Sequence, residues 1–127
     1  MIVINLTKHV HTAEQIADGS IEIASLRPFI DSAQDYDSLQ STWYAGAMAM
    51  VLAKEAHAAA RAILPETKLS ANIAGAAWLI IPLCAALRGY GISPVCSFSK
   101  RVCTESLDAE GKTTLTYTFQ HEGWVEL

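Results

Sequence analysis

The stretch KLSANIAGAAWLIIPLCAALRGYGISPVCSFS, residues 68–99, decides the fold. Its first eight residues read as a strand that ends at Gly75. The next sixteen carry Leu79, Leu83, Ala86, Leu87 and Tyr90 at helical spacing, and Gly89 and Gly91 supply the exit. ISPVCSFS then reads as a second strand. Pro82 either kinks this helix in its first turns or marks its true start. Strand, helix and strand within about thirty residues make a βαβ unit, and such a unit implies a parallel sheet covered by helices.

Working outward, the chain repeats that alternation. MIVINL is a short apolar run rich in β-branched residues and reads as a buried strand. Thr12-Ala13-Glu14-Gln15 matches the S/T-x-x-E/Q capping box, so a short helix follows over about 13–18, closed by Gly19. SIEIASL alternates well enough for a second strand. RPFIDSAQDYDSLQS has turn and cap chemistry, with Asp35, Asp37 and Ser38 crowding a helix entrance. From about Leu39 to Leu64, Ala45, Met48, Ala49, Leu52, Ala56, Ala59, Ala60 and Ile63 line one helix face, and Pro65 stops it. Lys54, His57 and Arg61 form the opposite, solvated row. The C-terminal region alternates in TTLTYTF around a turn at Asp108 to Gly111, which predicts an antiparallel hairpin plus a final short strand. The expected fold is α/β: one small Rossmann-like three-layer domain over 1–127, with a mostly parallel sheet and an antiparallel extension.

Composition narrows the function. With 51% hydrophobic and 17% charged residues, the chain is a globular one. A net charge of −4 argues against coating long nucleic acid, although a local positive pocket for a small anion stays open. No apolar run approaches the roughly 20 residues of a membrane span, and the start lacks a secretory signal pattern, so a cytoplasmic protein is expected. Cys84, Cys96 and Cys103 form no CxxC pair and have no His at zinc-finger spacing. They read as buried reduced thiols, and no metal or cofactor is expected. Trp43, Trp78 and Trp124 read as core or interface aromatics, and His121 and Glu122 as residues closing a turn.

In such sheets, ligands sit beyond the carboxyl ends of the strands, near the point where strand order reverses. The residues just past each parallel strand can therefore be gathered without any motif. They are Asn5, Thr7, Lys8, His9 and His11 after the first, Asn72, Ala74 and Gly75 after the third, and Ser97, Ser99, Lys100 and Arg101 after the fourth. Amides, hydroxyls, cations and a glycine before a helix suit a phosphate. Neither GxGxxG nor a P-loop is present, so no dinucleotide or triphosphate fingerprint is read.

NLTKHVHTAEQ at the start, ANIAGAAWLIIPLCAALRGYGISP in the centre and FSKRVCTES near the end together resemble the small stand-alone ring nucleases of type III CRISPR systems and their plasmid and phage relatives. The likeness is an N-x-[TS]-x-H start running into T-x-E-Q, a strand–glycine–helix unit at Gly75, and an F-S-x-R-x-x-x-E stretch formed by Phe98, Ser99, Arg101 and Glu105. Such proteins, on a CARF-like fold, bind cyclic oligoadenylate messengers as homodimers. They cleave them without metal to linear products with 2′,3′-cyclic phosphate ends, and some relatives bind the ring without turning it over. The resemblance implies a ligand held at the dimer interface. Its candidate catalytic residues are His9, Lys8, Arg101 and Glu105. Asn5, Thr7, His11, Asn72, Gly75, Ser99 and Lys100 are its candidate ligand contacts. His9 is the candidate acid/base, because an unperturbed imidazole titrates near working pH. The second histidine of KHVH departs from the family's SHP- or QHP-like form. Two rivals stay open: a binding module of the same fold, and a structural protein whose strand ends are only loops.

Overall fold

The computed structural model describes residues 1–35 and 42–127. Four strands and a hairpin partner make one five-stranded sheet in the order β2-β1-β3-β4-β5. β1 (Ile2–Asn5), β2 (Ser20–Ile21), β3 (Leu69–Asn72) and the start of β4 (Ser93–Leu107) are parallel, and β5 (Thr113–Glu126) runs antiparallel to β4. The helices are α1 (Ala13–Ala17), α2 (Arg27–Ala33), α3 (Thr42–Ile63) and α4 (Ala77–Gly89). This is a Rossmann-like α/β sandwich, as the 68–99 unit predicts.

Crossovers between parallel strands are right-handed. β1 feeds β2 in one direction along the sheet, while β2 feeds β3 and β3 feeds β4 in the other. Hence α1 lies on one face, and α2, α3 and α4 lie on the other. The apolar cluster follows that division. Ile4, Leu69 and Ala71 pack against Ile30 of α2, against Ala49, Leu52, Ala53, Ala56 and Ala60 of α3, and against Leu79, Leu83 and Leu87 of α4. The small residues of α3 are spent inside the domain core, which lets α4 approach closely.

Local chemistry explains most boundaries. Both halves of the capping box form at Thr12 and Gln15, with Thr12 N donating to Gln15 Oε1 at 2.9 Å. Gly19 sits at φ +96°, where a Cβ would lie 2.1 Å from the Met1 carbonyl oxygen, so only glycine fits. Asp108 caps the hairpin turn, its Oδ1 accepting from Glu110 N and Lys112 N, with Gly111 at φ +77°. Pro82 lies inside α4, which resolves the open alternative: the helix starts before it.

Several expectations need correction. The second strand stops at Ile21, because Ile23 and Leu26 turn into the core through a 3-10 turn (Ala24–Leu26). Arg27–Ala33, read as a turn, is a helix, with Pro28 in its first positions, where the missing N–H costs nothing. The expected helix entrance at Asp37 and Ser38 and the start at Leu39 lie outside the described residues. Ile63 is exposed and Ala53 is buried in its place in the stripe. Of the supposedly solvated row only Lys54 is exposed. His57 stacks on Tyr90, and Arg61 donates to the Leu64 and Thr67 carbonyls. Of the two alternatives for the tryptophans, Trp43 and Trp78 are exposed and so are not core residues, and only Cys84 of the three free thiols is buried. No separate final strand exists among the described residues. β4 and β5 instead pair from Val95↔Glu126 out to Leu107↔Thr113 as one long ribbon, whose outer part is exposed on both faces.

Candidate functional site

The loop after β1 is built by its own strand end. Asn5 is 1% exposed and spends all its hydrogen-bonding capacity locally. Its Nδ2 donates to the His9 carbonyl at 2.8 Å and to Glu22 Oε1 at 2.6 Å, while Oδ1 accepts from Thr7 N at 3.1 Å and Thr7 Oγ1 at 2.8 Å. Thr7 Oγ1 also lies 3.0 Å from the His9 carbonyl. From outside, Arg27 donates to the Thr7 and Lys8 carbonyls and to Glu22 Oε2, and Gln34 donates to the Leu6 carbonyl. The polar burst after INL is thus a clamped loop. Its clamp residues Glu22, Arg27 and Gln34 come from segments that carry no ligand motif, which is why sequence reading passes over them.

That loop walls a cavity of about 240 Å³ lined by Thr7, His9, Val10, Thr12, Gln15, Asn72, Ile73, Ala74, Cys96 and Ser97. It opens between the carboxyl ends of β1 and β3, where the strand order reverses, and β4 closes its far side. Three segments distant in sequence therefore meet at one rim. Thr7, His9 and Asn72 come together there with Ser97. Asn5 lies behind the wall and shapes it. Gly75, at φ +133°, lies between the Ala74 wall and the first turn of α4 and does not itself line the cavity.

The remaining predicted residues stand apart. His11 turns toward β2, its Nδ1 3.0 Å from Ser20 Oγ and 4.0 Å from Glu22 Oε1. Lys8 is exposed on the loop crest. Ser99, Lys100, Arg101 and Glu105 climb the ribbon, all exposed. The Arg101 guanidinium lies 3.9 Å from the Tyr117 ring centroid, a cation–π contact, and forms no ion pair with Glu105. No lysine or arginine, then, lines the cavity among the described residues. A larger groove of about 780 Å³ between α3 and α4 is lined by Trp43, Met50, Pro82, Ala86 and Tyr90 among others, and offers no His, Cys, acid or cation among the described residues. Among the described residues no group of three or more His, Cys, Asp or Glu side chains is placed to hold a metal ion.

Set against known protein families, residues 1–125 match the one described as Uncharacterized protein MJ1673 family. The chain belongs to the MJ1673 family. No curated protein and no solved structure matches it.

In this MJ1673-family chain the sequence reading passed over Asp18 and took His121, which lies inside β5, for a turn residue; both join Ser97 and Ser99 at the same rim. Ser97 Oγ lies 2.6 Å from His121 Nδ1 and 3.1 Å from Ser99 Oγ, and His121 Nε2 lies 2.9 Å from Asp18 Oδ2. The imidazole packs against Trp124 at 4.4 Å between centroids, and Trp124 Nε1 donates to the Asp18 carbonyl. A β-bulge makes this possible. Phe98 pairs with Gly123 but Ser99 pairs with His121, so Glu122 is an extra residue that re-phases the strand. Without it, His121 would face away from Ser97. The signal was present only as Gly123 within a strand pattern, which marks a bulge.

Proposed function

We propose that this chain is a ring nuclease. It binds cyclic oligoadenylate as a homodimer and opens the ring by metal-independent attack of a ribose 2′-hydroxyl on the adjoining phosphorus, leaving a 2′,3′-cyclic phosphate. The observation that carries this reading is the cavity at the β1/β3 reversal, with Thr7, His9, Asn72 and Ser97 on its wall. Hydrogen-bonding side chains at this point of an α/β sheet suit a nucleotide. The adenylate ring follows from the sequence resemblance, and action in the cytoplasm from the lack of a membrane-spanning run or secretory pattern.

Two features support a dimer. At about 240 Å³ the cavity lies below the roughly 300–1,000 Å³ of typical small-molecule sites, too small for a ring of several nucleotides. A twofold axis would bring two such cavities to one ring. The outer β4–β5 ribbon leaves Leu107, Tyr117 and Phe119 exposed, and an unsupported two-stranded ribbon is marginal in water. A partner subunit would cover it and would bring Lys100 and Arg101 toward the ligand. In this scheme Thr7 and Asn72 orient the ribose and phosphate, and His9 protonates the leaving 5′-oxygen. The backbone of His9 is held by Asn5 and Thr7, so its ring is presented from a fixed base.

The test is incubation with cyclic tri-, tetra- and hexa-adenylate in EDTA, with products resolved by chromatography. Linear products ending in 2′,3′-cyclic phosphate are expected, with turnover reduced about 100-fold or more in His9→Ala. Failure to bind or cleave any ring refutes the reading. A binding-only role draws on one observation: His9 and Cys96 are the cavity's titratable lining side chains among the described residues. Tight binding without products would establish that role instead.

A further inference from the structure

A histidine that only tethered a ribbon to a helix would need one hydrogen bond, and Trp124 Nε1 already ties β5 to the Asp18 carbonyl. His121 makes two contacts through opposite ring nitrogens, and one of them is to a hydroxyl on the cavity wall. Its side chain is 3% exposed, so bulk water does not compete for either nitrogen. The Asp18 carboxylate can only accept, so in the neutral imidazole the proton belongs on Nε2 and the Nδ1 lone pair faces Ser97 Oγ. A hydroxyl against an imidazole that is oriented by a carboxylate is the arrangement that makes serine a proton acceptor or nucleophile. Here the two ring nitrogens exchange places relative to serine proteases, which leaves the proton path intact. The bulge at Glu122 re-aims a side chain at a strand edge, a feature typical of active-site borders.

We infer that Ser97, His121 and Asp18 form a proton relay on the wall of the strand-end cavity, serving as the base that deprotonates the attacking 2′-hydroxyl of a bound phosphodiester. This rests on the ring-cleavage reading and supplies what it lacks, since His9 acting as the acid cannot also begin as the base. The 2′-hydroxyl proton passes to Ser97 Oγ as the Ser97 proton passes to His121 Nδ1. The 2′-oxygen bonds to phosphorus, the bond from phosphorus to the 5′-oxygen breaks, and His9 delivers a proton to that oxygen. His121 ends as an imidazolium paired with the Asp18 carboxylate, and His9 ends neutral. Ser97 is the group that touches substrate; His121 and Asp18 act through it. The groups facing the imidazole are Ser97 from β4, the Asp18 carboxylate at the end of α1, and Trp124 from its own strand.

Single-turnover cleavage and equilibrium binding of cyclic tetra-adenylate would be measured for the full chain and for Ser97→Ala, His121→Asn and Asp18→Asn. Asparagine keeps a hydrogen-bonding group near Ser97 but cannot take its proton. The cleavage rate is expected to fall about 100-fold in Ser97→Ala and His121→Asn and about tenfold in Asp18→Asn, with dissociation constants within about threefold of the parent. The rising limb of the pH–rate profile should vanish in His121→Asn, and added imidazole should restore cleavage to His121→Gly. If His121→Asn cleaves within threefold of the parent, or loses rate with an unchanged pH profile, His121 is a tether and the relay is overturned. If the parent protein binds the ring and forms no product, ring cleavage itself is wrong and the relay falls with it.

Discussion

Replacing Asn5 with aspartate alters the chemistry of one buried group and almost none of its volume. Asn5→Asp removes both donors of the amide, those now 2.8 Å from the His9 carbonyl and 2.6 Å from Glu22 Oε1. The first bond is neutral and contributes about 1 kcal/mol; the second goes to a charged group and contributes about 1.5–3 kcal/mol. Two carboxylates at that separation repel strongly, so the folded pair keeps a proton to higher pH than the unfolded chain does. Raising the pair's proton affinity by about two pH units costs about 2.7 kcal/mol at neutral pH. Glu22 keeps 31% of its side chain exposed and retains Arg27 at 3.1 Å, both of which soften the repulsion. The net expectation is about 4 kcal/mol of lost stability at pH 7, a large share of the roughly 5–15 kcal/mol typical of a domain. The pH dependence has a definite sign. The folded variant holds a proton that the unfolded chain releases above about pH 4, so the deficit grows as pH rises from about 4 to 6 and is then flat. At pH 4 a shared proton restores a bridging bond, and the deficit should shrink to about 1–2 kcal/mol. Thermal or urea melts of both proteins at pH 4 and pH 7 measure this. Equal deficits at the two pH values, or less than about 1 kcal/mol at pH 7, would refute the clamp.

Gly19→Ala combines a positive φ with a Cβ that would meet the Met1 carbonyl oxygen at 2.1 Å, so denaturant melts should show a loss on the order of 2–4 kcal/mol. Leu52→Ala, in the fully buried stripe of α3, should cost about 2–5 kcal/mol, against less than about 1 kcal/mol for Ile63→Ala on the exposed side. If the two cost the same, the orientation of α3 is wrong. Burial pushes the Cys84 thiol up, whereas Cys103 is exposed on the ribbon. Alkylation followed by peptide mass mapping should therefore modify Cys103 well before Cys84 in the folded protein, and together only after unfolding. Because the folded state keeps the Cys84 proton longer than the unfolded chain does, that thiol lowers stability only as pH rises above the ordinary thiol range.

Much of the architecture is legible in the residues. The capping box at Thr12 and Gln15, the glycines at 19, 91 and 111, and the Asp108 turn are local signals, decided within a few residues of chain, and each appears where its chemistry places it. The strand–helix–strand run of 68–99 likewise needs no distant partner to be read. Arg27–Ala33 misled because its turn-forming residues are equally good helix starters once Ile30 and Ala33 have a core to enter. The length of β4 and β5 was not legible either, since polar alternation in an exposed ribbon carries no burial pattern.

At the rim, the order of elements and the polar residues following each strand were enough to bring Thr7, His9, Asn72 and Ser97 to one edge, because parallel topology forces strand ends together. What the sequence could not contain is the contact between Asp18 and His121, more than a hundred residues apart and joined through a one-residue bulge. Register is a property of two strands at once, and a shift of one residue turns every side chain beyond it to the other face. The neighbours of Asn5 and His121 were settled there, by pairing and packing.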